Sequence, residues 1–213
     1  DFDTKEIRFA QKGMGLSLNG IAQGYITDKV VELLKQQGVT QALIDMGEIY
    51  GFDNANRREW NVSIRNPDQE DQILTTIAMK NQAFATSGGY GTVMDEAGKF
   101  THLFDPRTGG SQPRYKSMSV MAESAAVADA FSTAFSIMDE AAIRTAAQVK
   151  KAQVWLVMPN NELKKIGGWG EGGLDCGFDY VSSAGKAWLL KKWKIKKKGC
   201  PRGNPETLAA GSN

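Results

Sequence analysis

Between Ala42 and Ser87 short apolar segments follow one another, separated only by turn residues. Ala42-Leu43-Ile44-Asp45-Met46 reads as a buried strand closed by Gly47-Glu48, Asn54 to Arg58 as a turn, and Trp60 to Arg65 as its alternating return strand. Asn66-Pro67-Asp68 breaks that strand, Ile73 to Met79 forms the next, and Asn81-Gln82 turns into Ala83 to Ser87. One helix precedes this run, with Ile26, Val30, Leu33 and Leu34 on one face and Gly38 as its C′ residue. Ahead of it, Lys5 to Ala10 alternates as a short strand. Strands in succession after one helix predict an α+β fold, mainly antiparallel sheet packed with helices, rather than βαβ winding.

The second half adds helices. Lys116 to Ala122 reads as a strand leading into an apolar helix capped by Ser124, in which Val127, Phe131, Ala134, Phe135 and Met138 recur at helical spacing. Asp139 caps another helix, Glu140 to Lys151, and Gln153 to Met158 is a final strand ended by Pro159-Asn160-Asn161. Asp129 and Thr133 lie one turn apart on the apolar helix, so a carboxylate and a hydroxyl stand one above the other. A carboxylate there pairs, caps a neighbouring element or binds a cation. Two hard oxygens suit Mg²⁺, which completes its shell with water and phosphate oxygens.

Gly20 and Gly24 fall at the first helix start, where bare backbone and free N–H groups suit an anion, or close helix–strand packing. Ser87-Gly88-Gly89-Tyr90-Gly91 reads as a hydroxyl-bearing loop and Asp95 to Lys99 as a hairpin turn. His102, the single histidine, falls between strands, as a structural residue or a catalytic one. Arg107 either pairs with Asp105 or faces a phosphate.

The 213 residues are 41% hydrophobic and 23% charged, enough for a real core. A net charge of +2 gives no argument for nucleic acid, and the lysines crowd Lys186 to Lys198. Cys176 and Cys200 make neither a metal-type spacing nor a disulfide framework. No apolar run reaches membrane-spanning length. From about 167 to 213 the Gly/Lys-rich composition predicts a poorly ordered tail, set apart from a core of residues 1–166.

Three blocks now stand in order: Leu18-Asn19-Gly20-Ile21-Ala22-Gln23-Gly24-Tyr25 followed by Asp28; Ala85-Thr86-Ser87-Gly88 with His102-Leu103-Phe104-Asp105-Pro106-Arg107-Thr108-Gly109; and Ala128-Asp129-Ala130-Phe131-Ser132-Thr133. With Asp45-Met46-Gly47-Glu48 they resemble the ApbE family, the FAD:protein FMN transferases, over about residues 1 to 166, with first-block wording like the NosX-like branch. The resemblance implies a T-fold-like architecture and a Mg²⁺-dependent enzyme. Such an enzyme splits FAD, releases AMP and attaches FMN to a Thr or Ser hydroxyl of an acceptor flavoprotein bearing a Ser/Thr-Gly-Ala-type sequence. It further implies Gly20, Asp129 and Thr133 as metal ligands, and Ser17, Gly20, Gln23, His102, Phe104 and Asp105 as flavin-nucleotide contacts. Asp129 or His102 would draw the proton from the incoming hydroxyl. Many relatives carry Asp where this chain has Ser17. Asp1 is expected to fall in mid-protein, after an amino-terminal portion that in relatives contributes to the FAD pocket. Export to the periplasm, with the inner-membrane tether relatives often carry upstream, belongs to the same resemblance. An FAD-binding maturation protein and an FAD pyrophosphatase are the competing functions.

Overall fold

A computed structural model describes residues 1, 3–89, 101–111 and 114–167, together with the backbone of 180–182. Helix α1 (Ala22–Gln36) is followed by β1 (Gln41–Asp45), β2 (Ile49–Asp53), β3 (Trp60–Asn66), β4 (Gln69–Met79) and β5 (Gln82–Gly88). After the 101–111 loop come β6 (Ser117–Ala122), α2 (Ala125–Phe135), α3 (Glu140–Val149), β7 (Gln153–Val157), β8 (Leu163–Ile166) and β9 (Tyr180–Ser182). Seven strands make one sheet in the order β1-β2-β5-β6-β7-β8-β9, while β3 and β4 form a separate hairpin. Every pairing is antiparallel, as the strand succession predicts.

The two faces of the large sheet separate with the two-residue period of a strand. Ala83 and Ala85 of β5, Met118 and Val120 of β6, and Val154 and Leu156 of β7 join Ala125, Ala128 and Phe135 of α2 and Ile143 of α3 in one core. Phe84, Met121, Trp155 and Val157 point the other way, against Val62, Ile64 and Met79 of the β3–β4 hairpin. Strand β6 is therefore buried at all six positions, covered by helices on one face and by the hairpin on the other. A third cluster, Val31, Ile44 and Phe52, seats α1 on β1 and β2.

Caps stop and start the helices where the sequence places them. Gly38 has φ +84°, and the Gly38 and Val39 N–H groups bond the Lys35 and Leu34 carbonyls, which closes α1 with two of its orphan acceptors satisfied. Ser124 accepts from Val127 N–H, and Asp139 from Ala142 N–H. No helix among the described residues is long and apolar enough to cross a membrane.

Several expectations are corrected. Lys5 to Ala10 is not a strand: Ile7 and Phe9 are exposed and no described strand pairs with the segment. The return strand of β1 is β2, hinged at Gly47 (φ +97°), and Trp60 to Asn66 pairs instead with β4. Strand β1 is an edge strand, buried only at Ile44. Helix α1 buries Gly24, Thr27 and Val31, leaving Ile26 and Leu33 exposed. Ser87 and Gly88 end β5 rather than lying in a loop. Strand β7 is not the last: β8 pairs with it, and the backbone of 180–182, within the supposed tail, extends the sheet as β9. The Asp95 to Lys99 turn, both cysteines and the remainder of the tail lie outside the described residues.

Candidate active site

The site forms where α1 begins. Ile21, at the N-cap, offers no side-chain acceptor, and the first turn holds no acidic residue. The positive end of this helix is met instead by α2, whose Asp129 Oδ2 accepts from Gly24 N–H at 2.9 Å. The arrangement is reciprocal. Asp28 of α1 accepts from the Ala125 and Ala126 N–H groups at 2.8 and 2.9 Å, so each helix is capped by the other's carboxylate. Glycine is required at position 24 because a Cβ there would lie 2.3 Å from the Ala125 carbonyl oxygen. The glycine spacing thus serves close packing, here helix on helix.

Asp129 is 5% exposed, in a helix face that buries Ala125, Ala128, Ser132 and Phe135 and leaves Val127 at the surface. This face is rotated from the apolar stripe read in the sequence, because alanines allow the close crossing with α1 and draw Asp129 inward. Burial raises the Asp129 pKa, partly offset by the Gly24 N–H. One turn on, Thr133 packs against Gly20: a Cβ on Gly20 would come 2.9 Å from Thr133 Cγ2 and 3.2 Å from Oγ1. Ser87, on the helix-facing side of β5, lies 2.7 Å from Ser132 Oγ and 3.3 Å from Thr133 Oγ1 through its own hydroxyl. Gln23 lies on the first turn of α1, its amide against Gly47 of the β1–β2 turn.

Of the residues implicated by the sequence, Gly20, Gln23, Asp129 and Thr133 are brought together. Ser17 is exposed in its own turn, its hydroxyl accepting from Asn19 N–H. His102, Phe104 and Asp105 belong to the 101–111 loop, with His102 and Phe104 exposed. Asp105 is held by Arg107 through a 2.8 Å ion pair and accepts from its backbone N–H, which settles Arg107 as its partner. Ser87 and Ser132 lie in the motif blocks, but the sequence did not single them out as site residues. Strand alternation through Ala83 and Ala85 is the signal that puts Ser87 on the α2 side.

A divalent cation fits this donor set. Among the described residues no Lys, Arg or His acts on Asp129, and its Oδ1 has no hydrogen bond. Among those residues no group of three or more His, Cys, Asp or Glu side chains could hold a metal, so the seat rests on one carboxylate, one hydroxyl and the backbone. Mg²⁺ needs no more from a protein when phosphate and water complete its shell.

The sequence profile of the ApbE family matches residues 1–156. An FAD:protein FMN transferase of Treponema pallidum is 33% identical over 141 residues, covering 60% of this chain and 39% of that protein. Another from Klebsiella pneumoniae is 36% identical over 112 residues, covering 51% and 34%. Among solved structures, the ApbE protein of Thermotoga maritima superposes with TM-score 0.67 at 25% identity, over 73% of this chain and 52% of that one. The flavin transferase ApbE of Vibrio cholerae gives 0.56 at 27%, over 79% and 51%. The chain spans between about a third and a half of the length of these relatives. Fold, ordered motifs and the profile match agree: this chain belongs to the ApbE family.

Proposed function

We propose that the chain carries the cation- and diphosphate-binding part of an FAD:protein FMN transferase, which moves FMN from FAD to a Thr or Ser hydroxyl of an acceptor flavoprotein and releases AMP. The observation that carries this reading is the meeting of Asp129 and Thr133 with the glycine-led start of α1. Relatives named as FAD:protein FMN transferases support it. Asp129, Thr133 and the Gly20 carbonyl hold Mg²⁺, which when bound neutralises charge on the diphosphate.

The chain's own residues do the rest. At the start of α1 the Gly24 N–H is taken by Asp129 and the Ala22 N–H by the Leu18 carbonyl, so the Gln23 N–H is the first-turn donor that meets the diphosphate. Gln23 and Ser17 contact the nucleotide, and Phe104 and Asp105 line its pocket, with Asp105 fixed by Arg107. The acceptor oxygen bonds to the FMN-side phosphorus as that atom's bond to the bridging oxygen breaks, and the bridging oxygen leaves with AMP. Asp129 is committed to Gly24 and the cation, which leaves His102 to take the hydroxyl proton. The family's periplasmic address, with an upstream inner-membrane tether, is part of the same proposal.

The test is incubation of the protein with FAD, Mg²⁺ and an acceptor bearing a Ser/Thr-Gly-Ala-type sequence. A fluorescent acceptor together with AMP is expected. Free FMN with AMP and an unlabelled acceptor would make the protein a pyrophosphatase, and intact FAD would make it a binding protein.

A further inference from the structure

The β1–β2 turn also reaches the start of α1. Gly47 takes φ +97°, and a Cβ there would lie 2.6 Å from Gln23 Nε2, so the turn is seated on the first turn of the helix. Its next residue, Glu48, is 7% exposed, and its Oε2 has no hydrogen-bond partner among the described residues. The charges acting on Glu48 are both negative, Asp129 first and Asp45 second. A buried carboxylate oxygen with no donor, set among acids, is costly for a fold to keep, and a polar group left so needs an explanation. No described basic residue compensates it. A missing positive charge between Glu48 and Asp129 would.

We propose that Glu48 is a further acidic residue of the cation site, facing the divalent ion from the β1–β2 turn while Asp129 faces it from α2. The inference rests on the transferase reading, since it takes the Asp129 seat as given and adds a second carboxylate from a different element. Without the ion, burial and the two neighbouring acids push Glu48 up to about 8, as expected of an acid that lacks its counter-charge. Gly47 has a part in this. Its left-handed backbone lets the turn close onto Gln23 and carries Glu48 inward.

The test is Mn²⁺ binding by electron paramagnetic resonance, with thermal melts with and without Mn²⁺, on the unmodified chain, Glu48→Gln and Asp129→Asn. Glu48→Gln keeps the shape and removes the charge. Its Mn²⁺ affinity is expected to fall about 10–100-fold, the range for residues that support a metal's ligands. Its melting temperature without metal is expected to hold or rise, because an uncompensated buried acid has gone, and its gain on adding Mn²⁺ should shrink. A purely structural Glu48 would give the reverse, a lower melting temperature without metal and unchanged affinity, and that result overturns the proposal. If affinity is lost in Asp129→Asn but kept in Glu48→Gln, only the role of Glu48 fails. If the unmodified chain binds no Mn²⁺, or Asp129→Asn binds as it does, the cation reading fails and this inference with it. Glu48→Met, apolar and of similar volume, is the second variant should the glutamine protein not fold, and its affinity is expected to fall likewise.

Discussion

Asp129 and Asp105 are both carboxylates from motifs of one family, and the fold treats them in opposite ways. Asp129 is buried between two helices, one oxygen on a backbone N–H, with no cationic side chain among the described residues acting on it and its pKa raised by burial. Asp105 sits in a surface loop where Arg107 clamps it, and that guanidinium holds its carboxyl down at about 2. The second is electrically complete without a ligand. The first has no cationic partner among the described residues, and its charge acts on the buried Glu48. Under the function proposed above, this difference is what assigns the cation to the α1–α2 crossing and leaves shape and a fixed turn to the 101–111 loop.

The sharpest way to break this contrast is Asp129→Asn, expected to cut FMN transfer by about 10³-fold, as loss of several kcal/mol of charge stabilisation implies, with the fold intact by circular dichroism. Turnover close to that of the unmodified protein would remove Asp129 from the chemistry.

Next, the two regions should respond to pH with opposite sign. The unfolded chain ionises Glu48 near its ordinary 4.5, while the folded chain keeps that proton until about 8. The contribution of Glu48 to stability without metal is therefore fully present below 4.5, declines as pH rises from there to 8, and levels off above. Asp105 contributes stability above its ordinary 3.8 that is lost as pH falls through about 2, and the effect is small because the pair is exposed. Melts across pH should show the high-pH decline disappear in Glu48→Gln; its persistence would contradict the assignment.

Packing supplies two smaller effects. Gly24→Ala puts a methyl 2.3 Å from the Ala125 carbonyl and should cost about 1–3 kcal/mol in urea unfolding. Asp28→Ala removes the acceptor of the Ala125 and Ala126 N–H groups, leaving Ser124 as the cap of α2, and should cost about 1 kcal/mol by the same measurement. Smallest of all, Arg107→Ala should leave the melting temperature unchanged within error, since Arg107 is a mostly exposed partner in a surface pair.

Much of this was legible in the residues because local chemistry decided it. Ser124, Asp139 and Gly38 are caps whose side chain or φ fixes a boundary regardless of the rest of the fold. What pairing and packing decide was less so. Strand β2, Ile49-Tyr50-Gly51-Phe52-Asp53, follows its turn too closely to stand out, so the more regular Trp60 to Arg65 looked like the partner of β1. Lys5 to Ala10 alternates, yet alternation without a described partner made no strand. In the site, Asp129 and Thr133 followed from helical spacing, and Gly20 from the family resemblance. Glu48 did not stand out, because an acid in a turn looks solvated until the turn is seen folded against α1.

The most direct measurement is anomalous diffraction from crystals of the protein grown with FAD and Mn²⁺. An anomalous peak bonded to the Asp129 carboxylate and the Thr133 hydroxyl, against the FAD diphosphate, is the predicted result. A metal bound to the nucleotide but away from both side chains would contradict the account.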